Sequence, residues 1–316
     1  MTGRVVVAGA SGFVGRRLVP ALAAAGWDVV GGSRDPAAAA ARLPDRRWVQ
    51  LDVDRDEGLA DAFAGARVLV YLVHQMAAGG DDLHAREVAA ARRVAAAAAR
   101  AGVQRVVYLG APMPAGPPSH HLRARLDTGL ALAAALPTLE LRASMIVGAG
   151  SESWTIVRDL ALRLPVMILP SWLSTRTQPI AVADVVGALV HGVGSAVTGV
   201  FDLPGPEVLT AREILLRVAA SRGVRPVMIP VPVLTPSLSS HWLRFVTRAD
   251  LGIARQLVNG LRWDLVSEGP GYRAHWREPA TPFDDAVRQA LAEEGEVASA
   301  AGRRAERWAF RLSRSA

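Results

Sequence analysis

The chain has 316 residues, 51% of them hydrophobic, enough to bury a sizeable core in one large domain or two unequal ones. It contains no cysteine and no lysine, so all 36 Lys+Arg positions are arginine, which excludes disulfides, thiolate nucleophiles, sulfur-ligated metals and lysine Schiff bases. The formal charge of +7 suits an anionic ligand, while no tandem basic–aromatic run argues for nucleic acid and no stretch is long and apolar enough to cross a membrane.

The first predicted element is a short buried strand, "RVVVAG" (4–9), followed by a glycine turn and the helix "RRLVPALAAAG", which ends at Gly26. Strands follow at "WDVVGGS" (27–33), "RRWVQLDV" (46–53), "ARVLVYLV" (66–73) and "VQRVVYLG" (103–110), with a long Ala/Arg helix over 82–101 between the last two. "PTLELRASMIVG" (137–148) reads as a sixth strand, with "SMIVG" closing the main sheet. Apolar strands separated by helices predict an α/β fold, a doubly wound parallel sheet covered on both faces.

After Gly148 the rhythm loosens. "SWTIVRDLALRLPVMILP" (153–170) predicts a helix running into a strand, Asp184 caps the start of a helix, and "VFDLPG" (200–205) is another strand. Thr210 and Glu213 have capping-box spacing. "RPVMIPVPVLTPSL" (225–238) is too rich in proline for a central strand. The predicted organisation is a main nucleotide-binding domain over 1–150 to which 176–204 returns, and a smaller, irregular C-terminal cap from 151–175 and 205–280. A helical tail over 281–316 completes the chain.

"GASGFVG" places Gly9, Gly12 and Gly15 directly between a strand and a helix. Gly9 permits a tight turn, Gly12 a close approach to a pyrophosphate and Gly15 close helix–strand packing, while the helix N-terminus supplies amide donors. Gly9, Ser11, Gly12, Phe13, Val14 and Gly15 are therefore the candidate phosphate-binding residues. The second strand ends at Ser33 and Arg34, a hydroxyl and a guanidinium suited to a 2′-phosphate, which favours NADP over NAD. Asp35 either turns toward the ribose or caps the next turn. Asp52 accepts from the adenine amino group, with Val53 against the ring, or else caps its loop.

These residues, with "LDV" (51–53), "YLVHQM" (71–76), "VVYLGA" (106–111), "HHLRAR" (120–125), "ELRASMIVGAGS" (140–151), "RTQPIAVADVV" (176–186) and "FDLPGPEVLTAREIL" (201–215), resemble the short-chain dehydrogenase/reductase superfamily, specifically its atypical, extended-like NAD(P)-binding members. The resemblance covers about residues 4–260. It implies a Rossmann-like sheet, a nicotinamide dinucleotide and a substrate cleft between sheet and cap. Family members carry a serine, a tyrosine and a lysine at the reaction centre; here Gly110, His121 and Arg125 stand in those places.

Arg125 can still donate to cofactor ribose hydroxyls, and His121 can pass a proton or merely hydrogen-bond. His74, Tyr71 and Tyr108 are the other catalytic candidates, with loop structure or packing as their plainer roles, and Ser144 is a candidate for the nicotinamide side. Trp154, Trp172 and Trp242, with Met145, Met167 and Leu173, line an apolar pocket or pack the cap. No histidine–carboxylate spacing predicts a metal. Ala301, Ala305, Trp308 and Leu312 share one face of an arginine-rich terminal helix, which packs on its own domain or meets a partner or membrane surface.

The expectation is a cytoplasmic NADPH-dependent oxidoreductase that reduces a carbonyl or conjugated alkene on an apolar small molecule. Loss of the usual tyrosine and lysine leaves two alternatives: a redox-neutral cyclase, isomerase or lyase, and a nonenzymatic NADP-binding sensor or structural protein.

Overall fold

The computed structural model describes residues 3–74, 83–164, 166–170, 174–231 and 263–297. Seven parallel strands form the main sheet, in the order β11-β6-β5-β4-β1-β2-β3. They are β1 (Arg4–Ala8), β2 (Asp28–Ser33), β3 (Arg47–Gln50), β4 (Ala66–Tyr71), β5 (Arg105–Gly110), β6 (Thr138–Arg142) and β11 (Gly199–Asp202). The order reverses between β1 and β4, and the crevice above such a switch point is where ligands of this architecture bind.

The strands form because their valine and leucine runs are buried on both faces. Val5, Val7, Val70, Val107 and Leu141 face α1 (Gly15–Ala24) and α7 (Val182–Gly194). Val6, Leu69, Tyr71, Val106 and Tyr108 face the opposite way, toward α4 (Leu83–Arg100) and α5 (His120–Ala133). Helix α1 ends where Gly26 takes φ +85°, with the Trp27 amide bonded back to the Leu22 carbonyl.

Two expectations need correction. The "SMIVG" segment does not close the main sheet: β7 (Ile146–Val147) pairs in parallel with β10 (Ile180–Ala181), and the sheet's edge is β11. β6 ends at Arg142, and the chain then leaves the ladder as the Ser144 hydroxyl donates to the Gln178 carbonyl. Asp184 does not cap its own helix. Its carboxylate accepts from the Thr281 amide (2.9 Å), the Thr281 hydroxyl (2.7 Å) and Arg273 (3.2 Å), clipping α7 to a distant loop.

A third core joins α6 (Glu152–Arg163), α8 (Ala211–Ala220) and α9 (Phe283–Val297) through Trp154, Leu162, Ile214, Val218, Phe283 and Val287. Trp154 is fully buried there, with its indole N–H on Glu294 (3.0 Å), so of its two readings the structure has core packing. Thr210 and Glu213 form the capping box of α8. The proline-punctuated segment contributes β13 (Val227–Val231), paired among the described residues with β8 (Val166–Pro170) and not with the main sheet. Trp172, Leu173, Trp242 and the 301–312 helical face lie outside the described residues. Among the described residues no helix is long and apolar enough to cross a membrane.

Candidate functional site

The glycine turn sits at the carboxyl end of β1, beside the switch point. Gly9 has φ +86°, a region that side chains disfavour, and the Gly12 amide bonds the Gly9 carbonyl at 3.0 Å. A Cβ on Gly15 would overlap that same carbonyl and lie 2.7 Å from Ala10 Cα, so only glycine lets α1 approach so closely. Ser11 and Gly12 are exposed, and Val14 at the helix start provides no side-chain cap. Among the described residues, no backbone group of the chain takes the amides of Ser11, Phe13 or Val14. An open helix N-terminus with unsatisfied amides is the cradle a pyrophosphate requires.

The loop after β7 braces this turn. Arg16 and Arg17 both donate to the Ala149 carbonyl (2.7 and 2.8 Å), and Arg17 also pairs with Glu293 and lies over the Phe13 ring.

At the end of β2, the Ser33 hydroxyl donates to the Asp35 carbonyl (2.9 Å), and the Asp35 carboxylate accepts from Ala38 N–H (2.9 Å). Asp35 is thus the N-cap of α2 (Pro36–Arg42) rather than a group turned to a ribose. Arg34 is exposed, and its guanidinium bonds no other group among the described residues. Asp52 accepts from the Asp54 amide at 3.1 Å, the bond of a loop cap, and Val53 is buried in the core.

Across the switch point, Ala8, Tyr71, Tyr108 and Glu140 are register neighbours on four adjacent strands. Tyr71 and Tyr108 are buried, with ring centroids 6.1 Å apart, and burial pushes both hydroxyls above the ordinary tyrosine range. Tyr108 donates to the Arg125 carbonyl at 3.0 Å, tying β5 to the first turns of α5. His74 packs 6.4 Å from the Tyr108 ring, centroid to centroid. Burial, with help from the charge of Arg125 and from His121, holds its imidazole well below its usual pKa.

His121 stands in the first turn of α5, which Ser119 caps by accepting from Leu122 N–H at 3.4 Å. Burial first, and Arg125 second, lower its pKa to about 3. His121 is therefore neutral at physiological pH, and the helix N-terminus favours the same state. Arg125, one turn on, carries a buried Nε with no hydrogen-bond partner. His74, Tyr108, His121 and Arg125 thus come together, while Ser144 is engaged with Gln178 and His120 is exposed.

Two features escaped the sequence reading. Glu140 is 3% exposed in a central strand, where its carboxylate accepts from Arg142 Nε at 2.7 Å. A charged pair inside "TLELR" was the available signal. The other is a strap over the loop before α5: the Asp264 carboxylate clamps the Arg176 amide (2.7 Å) and guanidinium, the Asp264 carbonyl accepts from Ala115 N–H (3.0 Å), and Trp263 lies against Gly116. Trp263 and Met113 remain 46% and 52% exposed, an unusual state for large apolar side chains and one that suits a cleft wall. A separate cavity of about 300 Å³ between α1, α7 and α9 includes none of the catalytic candidates.

An NAD(P)H-binding family matches residues 9–164. The chain is 32% identical over 272 residues to a 3-diazoavenalumate denitrifying reductase from Streptomyces sp, covering 74% of this chain and 86% of that one. It is 30% identical over 269 residues to a ceramide reductase from Caulobacter vibrioides, covering 81% and 84%. Among solved structures, Citrobacter sp. triphenylmethane reductase complexed with NADP(H) superposes with a TM-score of 0.71 at 18% identity, over 91% of this chain and 99% of that one, a likeness of fold.

Proposed function

The chain belongs to the atypical short-chain dehydrogenase/reductase family of NAD(P)H-binding proteins, and from that premise we propose that it is an NADPH-dependent reductase of an apolar small molecule. The observation that carries the proposal is the arrangement at one sheet edge. An open phosphate cradle at Gly9–Gly15 and a cluster of His74, His121 and Arg125 flank the same switch point. The two reductase-named relatives support reduction over redox-neutral chemistry.

The reduced nicotinamide supplies the hydride. The chain's residues bind, orient and exclude water. The free Arg34 guanidinium, beside the Ser33 hydroxyl, is placed to pair with a 2′-phosphate, which is the basis of the NADPH preference. The unpartnered Nε of Arg125 has an acceptor to find, and a ribose hydroxyl provides one. His121, neutral, is not the acid that a free histidine would be. It acts as a neutral hydrogen-bond donor to the substrate oxygen as charge develops there, with the final proton drawn from water. Burial makes the Tyr71 and Tyr108 hydroxyls weaker acids, and Tyr108 already donates to the Arg125 carbonyl, which favours His121 over either as the substrate's hydrogen-bond donor. Trp263 and Met113 form the apolar wall, and a cytoplasmic location suits a consumer of NADPH.

The test is turnover: with a series of apolar aldehydes, ketones and enones, NADPH should be consumed one for one with product. Product formed with no NADPH consumed would point to the redox-neutral alternative.

A further inference from the structure

Glu140 occupies a closed slot. A Cβ on Gly110 would lie 2.7 Å from its Oε1, and one on Gly129 of α5 would overlap its Oε2. Glycine in a helix interior costs about 1 kcal/mol, and at Gly129 the carboxylate is the reason for it. Two residues closer to the carboxyl edge and on the same face stands Arg142, the register neighbour of Gly110. Glu140 takes only Nε of this guanidinium, and the guanidinium makes no other hydrogen bond or ion pair among the described residues, although the side chain is just 16% exposed.

We propose that Arg142, positioned by Glu140, is an anion-binding group of the substrate cleft, so that the substrate is an apolar molecule carrying a carboxylate. This rests on the reductase reading above and adds a substrate class to it. The remaining guanidinium donors take no acceptor among the described residues, and a carboxylate accepts from two of them in parallel. Arg125 and Asp202, the latter the register neighbour of Arg142 on β11, add one further charge of each sign near Glu140, so an anion at Arg142 would sit beside a second carboxylate and depends on the guanidinium donors that Glu140 leaves open. The cofactor's phosphates do not meet the demand. The glycine turn follows β1, three strand spacings from β6, roughly 14 Å away, and the Arg34 site lies farther still.

The experiment titrates the NADPH complex with benzoate, cinnamate and decanoate, and with the three corresponding amides. At least one acid should bind about tenfold tighter than its amide, the scale of one charge-assisted pair. Arg142→Met should erase that preference while leaving NADPH affinity within about twofold, since the cofactor's phosphates lie elsewhere. The double variant Glu140→Gln/Arg142→Met, which removes both members of the buried pair together, gives the same readout should the single variant fold poorly. Acids and amides that bind alike, or a preference that survives without Arg142, would overturn the proposal. A wild-type protein that binds no NADPH would overturn the reductase reading, and this proposal with it.

Discussion

Gly110 and Glu140 are matched across adjacent strands: the carboxylate of one fills the space a side chain on the other would need. Family resemblance puts a serine at Gly110, so Gly110→Ser looks like a repair of lost machinery. The structure predicts damage instead. Glu140 cannot retreat, because Arg142 holds it and Gly129 closes the other side. The variant should lose about 1–3 kcal/mol of stability by overpacking, read as a lower urea midpoint, with no gain in rate. An unchanged midpoint would show that the slot is looser than described.

The neutral state of His121 has a consequence for acid stability. Its pKa falls from 6.5 in the unfolded chain to about 3 in the fold, so between these values the unfolded chain binds the extra proton. Its neutral burial costs nothing above pH 6.5 and progressively destabilises the fold as pH drops toward 3. Buried Glu140, whose pKa is raised, acts in the opposite sense and stays the same in both proteins when His121→Gln is compared with wild type. The loss of stability between about pH 7 and pH 4 should be smaller in the variant. Parallel pH curves would mean that His121 titrates as a free histidine.

His121 and Arg125 should separate in kinetics. Arg125→Ala should weaken NADPH binding about tenfold, the scale of one lost hydrogen bond to a charged group. His121→Phe should leave NADPH binding nearly intact and lower the rate by about a hundredfold. Because His121 is already neutral, the wild-type rate should show no histidine ionisation between pH 6 and 9. A wild-type ionisation near pH 6.5 that disappears in His121→Phe would restore the titrating proton donor.

Most of the sheet was legible because valine-rich runs such as Val5–Val7 have no solution but burial, and the glycine spacing admits few backbones. The end of β6 was not legible: Ile146–Val147 is as apolar as a sheet strand, yet its partner, Ile180–Ala181, lies more than thirty residues on. Asp35 was ambiguous by type, and only the bond to Ala38 decided for a cap. The pairing of His121 and Arg125 followed from helical spacing, but the chemistry of His121 depends on burial, which spacing does not encode. Glu140 was passed over because charges in a strand ordinarily mark an exposed face, and here Gly110 and Gly129, from two other elements, build its slot.

An NADPH site at the glycine turn, with Arg34 at the 2′-phosphate, is tested by calorimetric titration of the full chain with NADPH and NADH. One NADPH should bind per chain, about tenfold or more tighter than NADH, and Arg34→Ala should bring the two together by weakening NADPH alone. Equal affinities for the two in the wild type, or a preference for NADPH that persists in Arg34→Ala, would show that Arg34 does not hold a 2′-phosphate.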